Sequence, residues 1–153
     1  MYLARRLIRM AVEDIGLADP QALVICNAAR DAYHMLGTPE GELALAQACV
    51  YLATAPKSNS VVKALTAALE LARETPAEPV PVHLRNAPTA LLKKLGYGKE
   101  YRYAHDYPGH FVKQAYLPDS LGERELYAPG TLGYERKVAE RMAYWRKLAE
   151  GQE

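Results

Sequence analysis

The most apolar stretch of the chain, LALAQACVYLATA at 43–55, predicts a helix without a wide polar stripe. A helix that is apolar nearly all round has to be covered on most sides, and this one is too short to span a bilayer. We therefore interpret it as the central helix of an α-helical domain, in which Val50→Asp is expected to cause unfolding. The predicted core residues of this helix are Leu43, Leu45, Ala46, Cys49, Val50, Leu52 and Ala53.

Apolar residues at helical spacing predict five further helices, so the expected fold class is all-α. The helices are expected at 2–14, from the Asp19-Pro20 start signal to Leu36, and at 61–73, 87–95 and 132–150. The side chains expected to face inward are Leu3, Leu7, Met10, Ala11, Leu23, Cys26, Ala29, Tyr33, Leu36, Val62, Leu65, Leu69, Ala72, Tyr134, Val138, Met142, Trp145 and Ala149.

Two segments of the predicted domain are not helical. Residues 75–85 are rich in proline and are expected to form an extended strap, with Val80, Val82 and Leu84 pointing inward. Residues 97–127 are expected to form a long ordered loop with a short strand at 111–117. This loop is dense in aromatic residues, which disordered segments lack, so we expect its rings to pack against the helices.

Charge and composition narrow the function classes. The 153 residues carry a formal net charge of +1, which argues against a bulk polyanion binder and restricts any nucleic-acid contact to a local patch. No apolar run is long enough for a transmembrane helix, and no signal peptide is recognised, so no membrane partner is expected. The two cysteines, Cys26 and Cys49, lie in apolar helical stretches and are predicted to be buried, reduced thiols typical of a cytoplasm.

The sequence contains no strong catalytic motif. It has no GxxxxGK[ST] loop, no GxSxG and no HExxH, so we expect no catalytic residue and no metal site. His83, His105, Asp106 and His110 form the one group with plausible acid–base or metal chemistry. The alternative interpretation is that these are structural or surface side chains.

A locally basic run suggests a partner surface. It consists of Arg85, Lys93, Lys94, Lys99 and Arg102, with three tyrosines interleaved and only Glu100 opposing it. Cations that contact phosphates beside rings that stack on bases are typical of a weak nucleic-acid surface. The alternative is a solvated helix face beside core tyrosines.

Three long segments resemble the C-terminal region of the replication-associated recombination protein A family, the bacterial MgsA/RarA ATPases. They are RRLIRMAVEDIGLADPQAL at 5–23, LAQACVYLATAPKSNS at 45–60 and PVPVHLRNAPTALLKKLGYGKEYRYAHDYPGHFVKQAYLP at 79–118. The resemblance covers nearly the whole chain. It implies an AAA+ ATPase, similar to clamp loaders, that acts at stalled or damaged replication forks. It also implies a C-terminal helical domain that resembles the clamp-loader collar and assembles a homotetramer.

The resemblance places the Walker motifs of the family upstream of this chain. The chain is then expected to be non-catalytic and to bind no cofactor itself, while ATP and Mg²⁺ belong to the parent protein. Residues 1–16 would be the end of the lid helix region, and 17–153 a single compact oligomerisation domain. The missing cap on the first helix fits such a cut. DNA and single-strand DNA-binding protein are implied as partners of the parent, which would be cytoplasmic and nucleoid-associated in a bacterium.

Three functions from different classes follow. The first is self-association. The first helix carries surplus apolar side chains at Ile8, Val12 and Ile15, the last helix carries Tyr144, Trp145 and Leu148, and the interface is expected at Ile8, Val12, Tyr144, Trp145 and Leu148. The second is contact with DNA or with single-strand DNA-binding protein through the basic run at 85–103. The third is a small-molecule enzyme that uses His105, Asp106 and His110 in a loop pocket.

Overall fold

Helix α1 (Tyr2–Met10) continues as a π-helical turn at Ala11–Ile15 and a 3-10 turn at Gly16–Ala18. The structure is a computed structural model that describes residues 1–75 and 78–151. The buried face of this first helical segment consists of Ala4, Leu7, Ala11 and Ile15. The prediction that Leu3 and Met10 face inward is wrong, because both are exposed. The wide apolar arc of α1 fits either face, and the face with the smaller side chains is the one that packs.

The remaining helices confirm the all-α prediction. They are α2 (Gln21–Leu36), α3 (Glu42–Thr54), α4 (Ser60–Glu74), α5 (Ala90–Lys94) and α6 (Glu135–Glu150). No strand occurs among residues 1–75 and 78–151, so the strand predicted at 111–117 is wrong. This segment instead belongs to a long irregular region that includes two 3-10 turns, Ala104–Asp106 and Pro108–His110.

Local chemistry explains where the helices start and stop. The Asp19 carboxylate accepts a hydrogen bond from the Gln21 N–H at 3.0 Å, and Gly37 ends α2 with φ of 69°. Helix α5 begins three residues later than predicted, because Thr89 is the capping residue and accepts from the Leu92 N–H at 3.3 Å. Helix α6 also begins three residues later than predicted, after Gly133, whose φ is 56°.

The core of the first three helices is made largely of small side chains. Its ten members are Ala4, Leu7, Ala11, Ile15, Ala22, Cys26, Ala29, Leu45, Ala48 and Leu52. Half of them are alanine, which lets the helix axes approach closely. The end of α2 and the start of α3 are closer still, since a Cβ atom on Gly41 would lie 2.7 Å from the Cα of Tyr33. Cys26 is buried as predicted, and burial raises the pKa of its thiol.

Helix α3 is buried on one face only. Leu45, Ala48 and Leu52 lie in the core, whereas Leu43 is 77% exposed and Val50 is 65% exposed. The prediction of a helix covered on most sides is therefore wrong. The other predicted core residues that are exposed are Ala46, Cys49 and Ala53. Hydrophobicity all round a helix does not distinguish burial within one chain from burial between chains.

Residues predicted to be buried are also exposed in three further helices. The side chains predicted to face inward but found exposed are Leu23 and Leu36 in α2, Val62, Leu65, Leu69 and Ala72 in α4, and Trp145 in α6. Tyr134, just before α6, is also exposed. In α4 the predicted stripe is regular but points to solvent, with Leu65 61% exposed.

The chain divides into two compact units, whereas the sequence predicts a single one from residue 17 onward. The first unit comprises residues 1–68 and 126–140, and the segment 1–16, predicted to be the end of the lid helix region, packs with α2 and α3. The second unit comprises residues 69–125 and the chain from 141 onward.

The proline-rich segment is irregular, with a 3-10 turn at Val82–Leu84. Part of the predicted strap, Pro76 and Ala77, lies outside the described residues. Val80 and Val82 are exposed, so the prediction that they point inward is wrong, and Leu84 is half-buried.

The first unit contains a fully buried carboxylate, that of Glu135, the first residue of α6. It accepts hydrogen bonds from the Ser60 and Tyr127 hydroxyls and from the Gly130 N–H, the last at 2.9 Å. Gly130 approaches so closely that a Cβ atom there would clash with the carboxylate. Burial acts to raise the pKa of Glu135, but hydrogen bonds from Ser58, Ser60, Tyr127 and Gly130 outweigh it, and the pKa is lowered.

Glu135→Gln is expected to destabilise the first unit by roughly 2–4 kcal/mol at neutral pH, because an amide cannot accept from all of these donors. Since the folded-state pKa lies below the unfolded value of about 4.5, this stability is present above pH 4.5 and is lost as pH falls through the folded value. Thermal midpoints measured from pH 7 down to pH 3 test this. A parallel decline in both proteins would contradict the assignment.

Ala48→Asp and Val50→Asp test which face of α3 is internal. Ala48 is fully buried, so its replacement is expected to unfold the first unit, at several kcal/mol against a typical total of about 5–15. Val50→Asp is expected to change the stability of the isolated protomer by no more than about 0.5 kcal/mol. Circular-dichroism melts at low protein concentration measure both, and unfolding by Val50→Asp would restore the original prediction.

Candidate functional site

The exposed side of α3 is the principal candidate interaction surface. We define the α3 face as Leu43, Ala46, Gln47, Val50 and Ala53, all of which are exposed. These positions lie opposite the buried face of the helix. A contiguous apolar surface of this kind is unusual on a monomer and marks sites of association.

The α3 face carries no charge. Between Glu42 and Lys57 the sequence contains no charged residue. The Thr54 hydroxyl donates to the Val50 carbonyl at 3.0 Å within the helix, so its polar group is already bonded. Gln47 is thus the polar side chain that a partner would have to accommodate, and a single polar residue in an apolar seam commonly sets register.

The N-terminal part of the interface predicted from the sequence is only partly available. Ile8 is half-buried and packs against the core of the first unit. Val12 is exposed, as are Tyr2 and Leu3 at the start of the same helical segment. Ile15, the third side chain predicted to widen the apolar arc of this helix, is fully buried, so Val12 is the exposed member of the three.

The C-terminal part of that predicted interface is occupied mainly by the protein's own loop. Trp145 stacks on Phe111, with ring centroids 6.1 Å apart and an interplanar angle of 6°. Gly109 lies against Tyr144 and Leu148, since a Cβ atom there would meet both side chains at 3.4 Å. Tyr144 still exposes about half of its surface. These contacts explain much of the apolar stripe on α6 without a partner.

The basic run divides into one structural and several surface cations. The Arg85 guanidinium donates to the Val80 carbonyl at 2.7 Å and to the Tyr97 hydroxyl at 3.1 Å. It also lies 5.1 Å from the centroid of the Tyr97 ring. Arg85 therefore fastens the proline-rich segment to the long loop and is not a free phosphate contact.

The other four cations of the run are exposed. Lys93 and Lys94 lie in the last turn of α5, and Lys99 lies 4.0 Å from Glu100 in a well solvated pair. Arg102 is held at its backbone by Gln114, whose side chain both accepts from and donates to it at 3.2 Å. The four share an exposed environment suited to polyanion contact.

The histidines separate into two places. His83 lies within hydrogen-bond distance of the Ala115 carbonyl, at 2.8 Å, and lines an open groove of about 620 Å³ together with Arg85 and Lys99. His105 and His110 lie elsewhere in ring contact, with centroids 5.0 Å apart, and do not line this groove. Within the described ranges no group of three ligating side chains is arranged to hold a metal ion.

Two features of the candidate surfaces were not predicted from the sequence. One is the outward orientation of the α3 face. The absence of charged residues on every side of this helix was the feature of the sequence that could have indicated it. The other is Gln114, which fixes Arg102 and also donates to the Tyr116 hydroxyl at 3.1 Å. Nothing in the spacing of these residues signals that contact. In the part of the chain described, no helix is both long and apolar enough to cross a membrane.

The fold defines an all-α domain, and sequence comparison assigns it to a family. Residues 1–146 match the family model described as MgsA AAA+ ATPase C terminal. The chain is 53% identical over 150 residues to replication-associated recombination protein A of Coxiella burnetii, covering 97% of this chain and 34% of that protein. It is 50% identical over 145 residues to the protein of the same name from Escherichia coli K12, covering 94% and 32%.

A eukaryotic relative extends the comparison. ATPase WRNIP1 of Dictyostelium discoideum is 44% identical over 128 residues, covering 83% of this chain and 15% of that protein. The chain belongs to the MgsA-type AAA+ ATPase C-terminal family, which confirms the resemblance seen in the sequence. It spans about a third of the length of the two bacterial relatives.

Arg85→Ala is expected to destabilise the second unit by roughly 1–2 kcal/mol, since two hydrogen bonds and a cation–π contact are lost. The matched control is Lys99→Ala, which removes a solvated cation from the same run and should change stability by less than about 0.5 kcal/mol. Thermal melts and limited proteolysis near residue 80 measure the difference. Equal melting of the two variants would contradict the structural role of Arg85.

Proposed function

We propose that this chain is the self-association domain of an AAA+ ATPase that acts in replication-fork maintenance, recombination and repair. The observation that carries the proposal is the charge-free α3 face, with Leu43 and Val50 exposed beside a core of alanines. The family supplies the ATPase context. The names of the bacterial relatives supply the link to replication and recombination.

A second copy of the chain is the partner that suits this surface. Two identical faces without charge can pair without burying an unpaired ion, which would be costly. Closed symmetry then covers both faces and leaves no open edge for further growth. The exposed stripe on α4, with Val62 and Leu65, offers a second apolar surface, and two surfaces per protomer suit a tetramer better than a dimer.

The remaining functions belong to the longer parent protein in this proposal. ATP and Mg²⁺ would bind outside the third of the relatives that this chain matches, consistent with a sequence that has no Walker A loop. The chain itself would be non-catalytic. DNA and single-strand DNA-binding protein would be partners of the parent, in a bacterial cytoplasm close to the nucleoid.

Charge placed on the α3 face is expected to separate the protomers. Leu43→Asp and Val50→Asp should weaken self-association roughly 30-fold or more, the effect of losing an interface residue worth about 2 kcal/mol. Light scattering coupled to size exclusion at micromolar concentration measures the mass. The matched control is Leu91→Asp, which alters a comparably exposed leucine on α5 and should leave the mass unchanged.

Other outcomes of this experiment assign the interface differently. A wild-type monomer would overturn self-association for this chain. A stable oligomer that survives both α3 variants but dissociates with Val12→Asp or Tyr144→Asp would move the interface to the terminal helices, as the sequence predicts.

Contact with DNA through the basic run is a second candidate function. The exposure of Lys93, Lys94, Lys99 and Arg102 favours it, because solvated cations can exchange counterions with a phosphate backbone. Binding by this route would be weak and strongly dependent on salt. It would decline when the four residues are replaced together by alanine.

A further inference from the structure

Six of the seven aromatic residues of the long loop fall into two groups that differ in packing. Tyr97 contacts Arg85, Phe111 stacks on Trp145, and Tyr127 bonds to Glu135, so these rings attach the loop to the rest of the fold. Tyr101, Tyr103 and Tyr116 instead remain exposed, the last two by 53% and 61%. Packing of the loop therefore does not account for the second group.

One of the exposed rings belongs to a row. We define the ring row as Tyr103, His105 and His110, whose successive centroids are 5.0 Å apart. The three side chains are exposed. His110 has φ of 53°, a left-handed backbone that a non-glycine residue adopts at some cost, and it is this conformation that accompanies the contact with His105. The row thus consists of π surfaces held in mutual contact yet open to solvent.

Cations accompany these rings on both sides along the chain. Residues 85–116 contain six lysines and arginines against two acidic residues, whereas the whole chain is close to neutral. The Gln114 amide donates to both the Arg102 carbonyl and the Tyr116 hydroxyl, which sets an exposed cation beside an exposed ring. Arg102 also donates to the Lys113 carbonyl at 3.4 Å. The arrangement around Gln114 is therefore built by the fold.

This combination selects one class of ligand. Exposed rings next to solvated cations match single-stranded nucleic acid, in which bases stack on rings while phosphates contact cations. A duplex would present phosphates to the cations, but its bases are already stacked on one another and would not stack on the rings. An acidic peptide would use the cations without needing aromatic surfaces.

We propose that the ring row, together with Tyr116 and Arg102, is a contact site for single-stranded nucleic acid in which unpaired bases stack on the Tyr103 and Tyr116 rings. This inference rests on the second candidate function and assigns the base stacking to particular rings and to single strands. Arg102 and Lys99 contribute phosphate contacts on the same loop. Self-association through the α3 face is not required for the site.

Fluorescence anisotropy with the whole chain tests the proposal. The probes are a labelled oligothymidylate of about 12 nucleotides, within the site sizes of roughly 4–16 known for single-strand binders, and an abasic oligomer of equal length and charge. The oligothymidylate should bind at least fivefold more tightly than the abasic oligomer, and more tightly than a duplex of the same length. An excess of acidic peptide should compete only weakly.

Matched variants separate the ring from its surroundings. Tyr103→Leu should weaken oligothymidylate binding roughly fivefold or more, and Tyr103→Phe should retain it, because only the ring is needed. Tyr2→Leu, which alters an exposed tyrosine on α1, is the control and should bind as the wild type does. If Tyr103→Leu fails to fold, Tyr116→Leu tests the same site. The logarithm of the binding constant falls linearly with the logarithm of the salt concentration, and Arg102→Gln should reduce the magnitude of that slope by about 0.7.

The outcomes distinguish this inference from the function on which it rests. Equal affinity for oligothymidylate and the abasic oligomer, both sensitive to salt, would overturn base stacking while leaving the DNA contact of the basic run in place. Absence of salt-sensitive binding to every probe would overturn both. Preferential binding of the acidic peptide, or full affinity in both leucine variants, would also overturn the site.

Discussion

The buried carboxylate of Glu135 is the interaction on which the arrangement of the first unit depends. It gathers Ser60 at the start of α4 and Tyr127 and Gly130 from the preceding loop onto the first residue of α6. Hydroxyl and backbone N–H donors surround it, and the N-terminus of α6 favours a negative charge there. One residue earlier, the Tyr134 N–H donates to the Ala18 carbonyl at 2.7 Å, so the turn between α1 and α2 is connected to the same point. Such a network is stabilising only when every donor is satisfied.

Helix positions were predictable from the sequence, but the faces of the helices were not. Asp19 and Gly37 determine where α2 begins and ends through local chemistry that reads directly from neighbouring residues. Which side of α3 or α4 is buried depends instead on contacts between distant segments. An apolar stripe such as Val62 and Leu65 has the same spacing whether it contacts its own core or another protein. The predicted core is therefore wrong about which face of a helix is buried, whereas the helical spacing of the apolar residues was predicted correctly.

In the candidate surfaces, too, local features were predictable from the sequence and contacts between distant residues were not. Charge and aromatic density predict a candidate surface in the basic, tyrosine-rich segment, since composition is a local property, and four of its five cations are exposed. The separate role of Arg85 depends on the Val80 carbonyl and the Tyr97 ring, and the role of Gln114 depends on Arg102 twelve residues away. Side-chain contacts across an irregular loop have no periodicity to reveal them. They determine, however, which cation is structural and which is free to meet a ligand.

The distribution of apolar volume gives the strongest physical argument for a partner. Five of the ten core residues around α1, α2 and α3 are alanines, while the larger Leu43 and Val50 are exposed on α3. Burying a larger aliphatic side chain contributes roughly 1.5–3 kcal/mol, so part of the hydrophobic stabilisation encoded in this sequence is not realised by a single protomer. Under the proposed self-association, covering the outer apolar faces would add stability, and by mass action unfolding would depend on protein concentration. If the proposed self-association uses this face, folding and assembly would form one equilibrium, linked through the charge-free sequence of α3.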